Sequence, residues 1–279
     1  MKFGLVGTFG SARQMVDLAV EAERAGWDGF FTWDGISVGE VDTFDPWTLL
    51  GAIAVRTSTI RLGAMVFSLP RRRPWKVARE ALTVDHLSGG RLVIPVGLGA
   101  TDDGGYSRVS GDDVDRRTRA ERLDDTLAIL ERAWTGEPFS YTGAQYQVRD
   151  LVFRPRPVQR PRIPVWVVAS WPVPRSMQRA VRWDGVLPSR HGDPFEPFSA
   201  AELREVVAWT TEQRAAAGRT GSFDVVVEGV LPDDPSAAAE RVEELAAAGV
   251  TWWIESRWEG EAATPERLLE RARRGPPRA

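Results

Sequence analysis

The 279-residue chain contains no cysteine. Disulfides, thiolate zinc sites, iron–sulfur clusters and a cysteine nucleophile are therefore excluded. Histidine is nearly as scarce, with only His86 and His191. An HExxH-type zinc site needs two histidines one helical turn apart, and these two lie far apart in sequence. No bound metal is expected. No run of 18 or more apolar residues occurs, so no membrane-spanning helix is expected. The first residues, Met1 to Val6, lack the apolar stretch and small-residue cleavage site of a signal peptide. The expectation is a cytoplasmic protein. Net charge is also small, with 36 Lys and Arg against 39 Asp and Glu for a formal -3. That balance points to neither nucleic acid nor an anionic membrane as partner. The basic run Arg71 to Arg73 is too short to count as a patch.

What is present is a globular composition, 43% hydrophobic and 27% charged, which argues against disorder. Short apolar runs alternate with longer amphipathic ones. Strands are expected near residues 3–6, 28–33, 62–69, 92–98, 165–169, 185–188, 223–228 and 251–255. Helices are expected between them, at about 15–25, 46–57, 74–87, 116–134, 174–183, 200–217, 235–248 and 265–274. Proline or a short polar residue opens several of these helices, and glycine closes several. A polar loop follows Leu98 and runs to about Asp115, a proline-punctuated surface stretch covers 143–164, and the tail 275–279 reads as loose.

Eight strand-then-helix units with largely continuous apolar strands predict an α/β fold, a (β/α)8 TIM barrel in one domain over residues 1–279. A doubly wound sheet would accept the same order. The turn after the first strand, Gly7 to Gly10, lacks its dinucleotide fingerprint.

Barrel enzymes work at the C-terminal ends of their strands. Here those ends offer Thr8, Trp33, Asp34, Phe67, Ser68, Gly99, Ala100, Ser170, Trp171, Arg190, His191, Glu228, Glu255 and Arg257. An aromatic, small-residue rim with few charges suits a flat organic ligand better than a metal. Asp34 is either a site carboxylate or the cap of its turn. His191 is either in the pocket or on the surface. Glu228 and Glu255 are either site carboxylates or ion-pair partners of Arg257. His86, at a helix end, reads as structural.

Several segments appear together in one order: Asp28 to Asp34, Thr83 to Arg91, Gly97 to Gly99, Arg119 to Asp125, Arg154 to Gln159, Val165 to Ser170 and Trp183 to Val186. This set resembles the bacterial-luciferase-like superfamily of flavin- or F420-dependent oxidoreductases, over nearly the whole chain. The resemblance implies a (β/α)8 barrel and an enzyme that uses F420 or FMN on a small organic substrate, often as a homodimer. The arginine-rich, lysine-poor composition leans the choice towards F420.

By position, the resemblance places the cofactor ring against Thr8, Met65, Val66, Phe67, Gly99 and Ala100. It places the phosphate near Ser170, Trp171, Arg175 and Ser176, where a helix start and an arginine also suit an anion. It implies a cis peptide bond at Met65–Val66. The sequence departs from the family pattern after the second strand, where Asp34 is followed by Gly35 rather than histidine. Catalytic roles then fall to Asp34 and to His191 or a glutamate. The same departure leaves open a non-catalytic cofactor-binding relative.

Overall fold

Strands with apolar side chains on both faces need a layer on each side. The computed structural model describes residues 1–109, 114–193 and 196–277. The last two residues of the tail and part of the loop before Asp115 lie outside them. The elements run β1 (Lys2–Val6), α1 (Ala12–Arg24), β2 (Gly29–Thr32), α2 (Pro46–Arg56), β3 (Arg61–Ala64), β4 (Phe67–Ser68), α3 (Pro74–Ser88), β5 (Ile94–Gly97), α4 (Gly104–Ser107) and α5 (Arg116–Ala133). They continue β6 (Phe139–Thr142), β7 (Gln147–Leu151), β8 (Val165–Trp171), α6 (Pro174–Ala180), β9 (Gly185–Arg190), α7 (Ala200–Ala216), β10 (Asp224–Gly229), α8 (Pro235–Ala247), β11 (Trp252–Glu255) and α9 (Pro265–Arg274).

The main sheet is parallel, in the order β3-β2-β1-β11-β10-β9-β8-β5-β4. Its two ends are halves of one strand. The expected strand 62–69 is broken at Met65–Val66, whose peptide bond is cis, as the resemblance implied. β3 pairs with β2, and β4 pairs with β5. The Val93 N–H donates to the Leu62 carbonyl at 2.8 Å, which closes the ring. Counting β3 and β4 as one gives the eight barrel strands read from sequence.

Local signals hold at the helix starts. Proline occupies the first turn of α2, α3, α6, α8 and α9. Ser11 and Ser199 form capping boxes with Gln14 and Glu202. Gly89 ends α3 at φ 65°, a left-handed conformation that a Cβ disfavours.

Outward strand residues such as Leu5, Phe30, Leu62, Val96 and Val167 pack against the helices. Inward residues form a second cluster: Val6, Phe31, Met65, Val93, Trp166, Leu187, Val226, Trp252 and Ile254. Three aromatics fill the barrel's base, with Trp166 and Trp252 centroids 5.2 Å apart and Phe31 within 5.9 Å of Trp166. Glycines make the room. A Cβ on Gly63 would lie 2.7 Å from the Val93 carbonyl oxygen and 3.0 Å from the Phe31 ring. Backbone cannot retreat cheaply, so Gly63→Ala should destabilise the fold by about 1–3 kcal/mol. Thermal unfolding checks this, and an unchanged midpoint would show that the base is looser than described.

Two sequence expectations change. The surface stretch 143–164 takes in β7, the second strand of an antiparallel hairpin with β6. The hairpin turn wraps the buried Asp125 of α5, which accepts from Gln145 N–H at 2.7 Å, Tyr146 N–H at 3.0 Å and the Tyr141 hydroxyl at 2.7 Å. The tail is less loose than read: Gly275 is buried, and its carbonyl accepts from Arg271 at 2.7 Å. No helix among the described residues is long and apolar enough to cross a membrane.

Candidate active site

Successive strand residues face opposite sides, so the inward side of each strand can be followed upward. Val226, Ile254, Leu187 and Met65 are buried and form a floor. Two positions beyond Phe31, Leu187, Val226 and Ile254 come Trp33, Ser189, Glu228 and Ser256; Ser170 sits at the same height on β8. Of these five, Ser256 is buried, Trp33, Ser170 and Ser189 are half-buried, and Glu228 is exposed. The inner face therefore passes from a sealed apolar floor to an open, mostly polar layer. That is a cup at the C-terminal ends of the strands.

Thr8 is buried at its edge, and its hydroxyl donates to the Arg257 carbonyl at 2.8 Å. The Thr8 carbonyl accepts from the Trp33 indole at 2.7 Å. Met65 faces the interior, and Val66 packs against the same inner cluster, so two successive residues share one face. The Phe67 side chain is placed differently from the expectation of ring contact. It points into the helix layer, stacked on Trp47 with centroids 4.2 Å apart, and offers the cup only backbone. Gly99 has φ 80°, and a Cβ there would lie 2.1 Å from Ser68 Oγ. Ala100 is exposed beside it.

Asp34 is not free. Its side chain is 0% exposed and lies between Arg71 and Arg72. It accepts from Arg71 Nη2 at 2.9 Å, Arg72 Nη2 at 2.7 Å, Arg72 Nε at 3.0 Å and the Ser68 N–H at 2.9 Å. Burial works against this carboxylate, but the hydrogen bonds and charges of Arg72 and Arg71 outweigh it and hold its pKa below the ordinary value. Arg71 also binds Asp103, whose carboxylate accepts from the N–H groups of Ile36, Ser37 and Gly105. Tyr106 lies below, its hydroxyl 2.7 Å from Ser68 Oγ and 3.0 Å from the Leu98 carbonyl, with the Arg71 and Arg119 guanidinium groups over its ring. Residues 102–106, part of the polar loop read from sequence, are thus tied down to the loop after β2. Sequence reading missed Arg71 and Arg72 as site builders. The available signal was three arginines following a strand beside an apolar rim, where charges need partners.

On the other side, Ser170 N–H donates to Ser176 Oγ at 2.9 Å, which fixes the start of α6 against β8. No side chain caps α6, and Arg175 is exposed there. His191 is exposed, with Nδ1 3.4 Å from Ser170 Oγ. Trp171 is half-buried and meets Trp209 edge-on. Ser170, Trp171, Arg175, Ser176 and His191 thus lie together, whereas Asp34 belongs to the opposite arc.

The two rim glutamates separate. Glu255 points outward, is buried, and holds Arg257 at 3.0 Å and Arg271 at 3.4 Å. Glu228 faces the cup and pairs with no cation among the described residues; its partners are the Trp258 indole at 3.2 Å and Ser256. His86 is structural as read, with Nε2 2.8 Å from the Arg156 carbonyl.

The family model described as luciferase-like monooxygenase matches residues 2–278. The oxygenase component of a flavin-dependent trigonelline monooxygenase from Acinetobacter baylyi is 28% identical over 159 residues, covering 57% of this chain and 43% of that protein. An F420-dependent glucose-6-phosphate dehydrogenase from Microbacterium testaceum is 28% identical over 165 residues, covering 57% of this chain and 47% of that protein. The chain thus spans under half the length of these two relatives. Among solved structures, monooxygenase RslO1 from Streptomyces bottropensis superposes with a TM-score of 0.80 at 20% identity, covering 98% of this chain and 97% of that one. That likeness supports the fold.

Proposed function

The chain belongs to the luciferase-like monooxygenase family, and from that premise we propose that it is an oxidoreductase using F420 or FMN on a small organic molecule in the barrel mouth. The observation that carries this reading is the cup: a sealed apolar floor beneath an open polar layer, with a cation at one edge. The donor set fits a flat heteroaromatic with an anionic tail. Met65 and Val66 supply the apolar support; Thr8, the Phe67 backbone, Gly99 and Ala100 line the ring's edge. Ser170, Trp171, Arg175 and Ser176 take the phosphate. When bound, such a cofactor supplies hydride or oxygen chemistry.

The protein's share is positioning. Asp34 acts through Arg71 and Arg72, holding the loops after β2 and β5 as one rim, and its bound carboxylate leaves no lone pair for proton exchange. His191 stands beside the phosphate end, within reach of Ser170. A non-catalytic carrier is not favoured, since the named relatives are enzymes. A homodimer belongs to the same proposal.

Equilibrium binding of FMN and F420, each oxidised and reduced, is the direct test. At least one form should bind at about micromolar Kd, near -8 kcal/mol. No saturation by any of the four up to roughly 1 mM, where binding is worth only about -4 kcal/mol, would remove the reading.

A further inference from the structure

Glu228 stands apart from the other carboxylates of the rim. It lies two residues beyond Val226, on the inward face of β10, so its side chain enters the cup rather than the helix layer. The cations that could have neutralised it are committed elsewhere. Arg257 is bound to Glu255 and Asp233, and Arg190 on β9 to Glu202. Of the other titrating groups around it, Glu255 on β11 points outward, and His191 beyond β9 turns to Ser170 of β8. Around Glu228 stands an aromatic wall. The Trp258 ring lies 5.7 Å from Trp33 and 6.2 Å from Phe9, edge-on to both, and remains 38% exposed. An exposed indole beside a lone carboxyl is a stacking surface with one polar handle.

We propose that Glu228 is the hydrogen-bond donor for the substrate, and that the substrate is a flat, uncharged molecule presenting a carbonyl-type oxygen to it from the Trp33–Trp258 wall. The inference rests on the mouth being the active site. A protonated carboxyl has one O–H to give and one oxygen to receive. Oε1 receives the Trp258 N–H, so in the protonated carboxyl the O–H falls to the second oxygen, on the side of the cup. Ser256, both donor and acceptor, serves either protonation state. The walls of the cup restrict hydration of the carboxylate although it opens to solvent, and this raises the pKa of Glu228 above the ordinary glutamate value, against the smaller effect of the two hydrogen bonds. Among the described residues the cations on this arc, Arg190 and Arg257, are already paired, which leaves none to hold a phosphorylated or carboxylated substrate.

The test uses the full chain without cofactor, with 6-propionyl-2-(dimethylamino)naphthalene, a neutral naphthyl ketone, as the probe. A carboxyl 13C titration, assigned by its loss in Glu228→Gln, should place Glu228 above about 4.3. Ketone affinity should fall about 2–12-fold as pH rises through the pKa so measured, the span of one neutral hydrogen bond. In Glu228→Gln it should be flat with pH, since the amide keeps a donor. Stability gives a second readout. A raised carboxyl pKa contributes most below the unfolded value and is lost as pH rises through the folded one, so Glu228→Gln should gain on wild type towards alkaline pH. An ordinary Glu228 titration, or a ketone profile unchanged in Glu228→Gln, overturns the proposal. Because no cofactor is present, either result leaves the FMN and F420 measurement to stand or fall separately.

Discussion

Replacing Arg71 by alanine should cost about 3–5 kcal/mol of folding free energy, the range for removing one partner of a buried ion pair. Arg71 is only 5% exposed and sits between two buried carboxylates, Asp34 and Asp103. Its loss leaves Asp103 without a cation and Asp34 with Arg72 alone. Asp103 also gathers three backbone N–H groups from the loops after β2 and β5, so the rim should loosen as the fold weakens. Arg71→Lys should recover part of the loss, since an ammonium reaches one carboxylate but lacks the guanidinium's planar fork.

Acid should expose the same coupling. Asp34 and Asp103 both have lowered pKa values. A depressed carboxyl contributes stability that is present above its unfolded pKa, about 3.9, and is lost as pH falls through the folded value. Wild type should therefore lose stability below about pH 4 more steeply than Arg71→Ala does. Denaturant unfolding at pH 7 and pH 3 measures both effects. A loss under about 1 kcal/mol at pH 7 would class the cluster with exposed pairs and withdraw its role as the rim's anchor.

The second large effect concerns the anion. The double variant Arg175→Ala, Ser176→Ala should weaken the phosphorylated cofactor by roughly 10- to 150-fold, from one lost charge-assisted bond of about 1.5–3 kcal/mol. Riboflavin, or the deazaflavin lacking its phosphate, should change little. Ser176 Oγ also receives the Ser170 N–H, so the single variant Arg175→Ala separates charge from local geometry. Arg175 is exposed and makes no ion pair among those described, so its removal should leave the fold intact. Equal losses for phosphorylated and unphosphorylated forms would move the phosphate away from α6, towards the position after the seventh and eighth strands that many barrels use.

The sequence alone determined the count and order of strand–helix units, because each rests on local physics. Prolines at 46, 74, 174, 235 and 265 open helices through their own fixed φ, and the strands are short apolar runs bounded by polar turns. The family was also legible, from an ordered set of segments. Tertiary structure alone decided which rim residues have free chemistry. In sequence Glu228 and Glu255 look alike, each an acid at a strand end near Arg257. The ladder of β10 with β11 turns Glu228 into the cup and Glu255 out to Arg257 and Arg271. Asp34 read as an open question because its partners lie 37 to 38 residues away. The β6–β7 hairpin was missed because its turn is held by Asp125, about twenty residues upstream of the turn, and not by a strong turn sequence. In each case the deciding partner is distant in sequence, and the facing of a strand residue is set by pairing that no local pattern encodes.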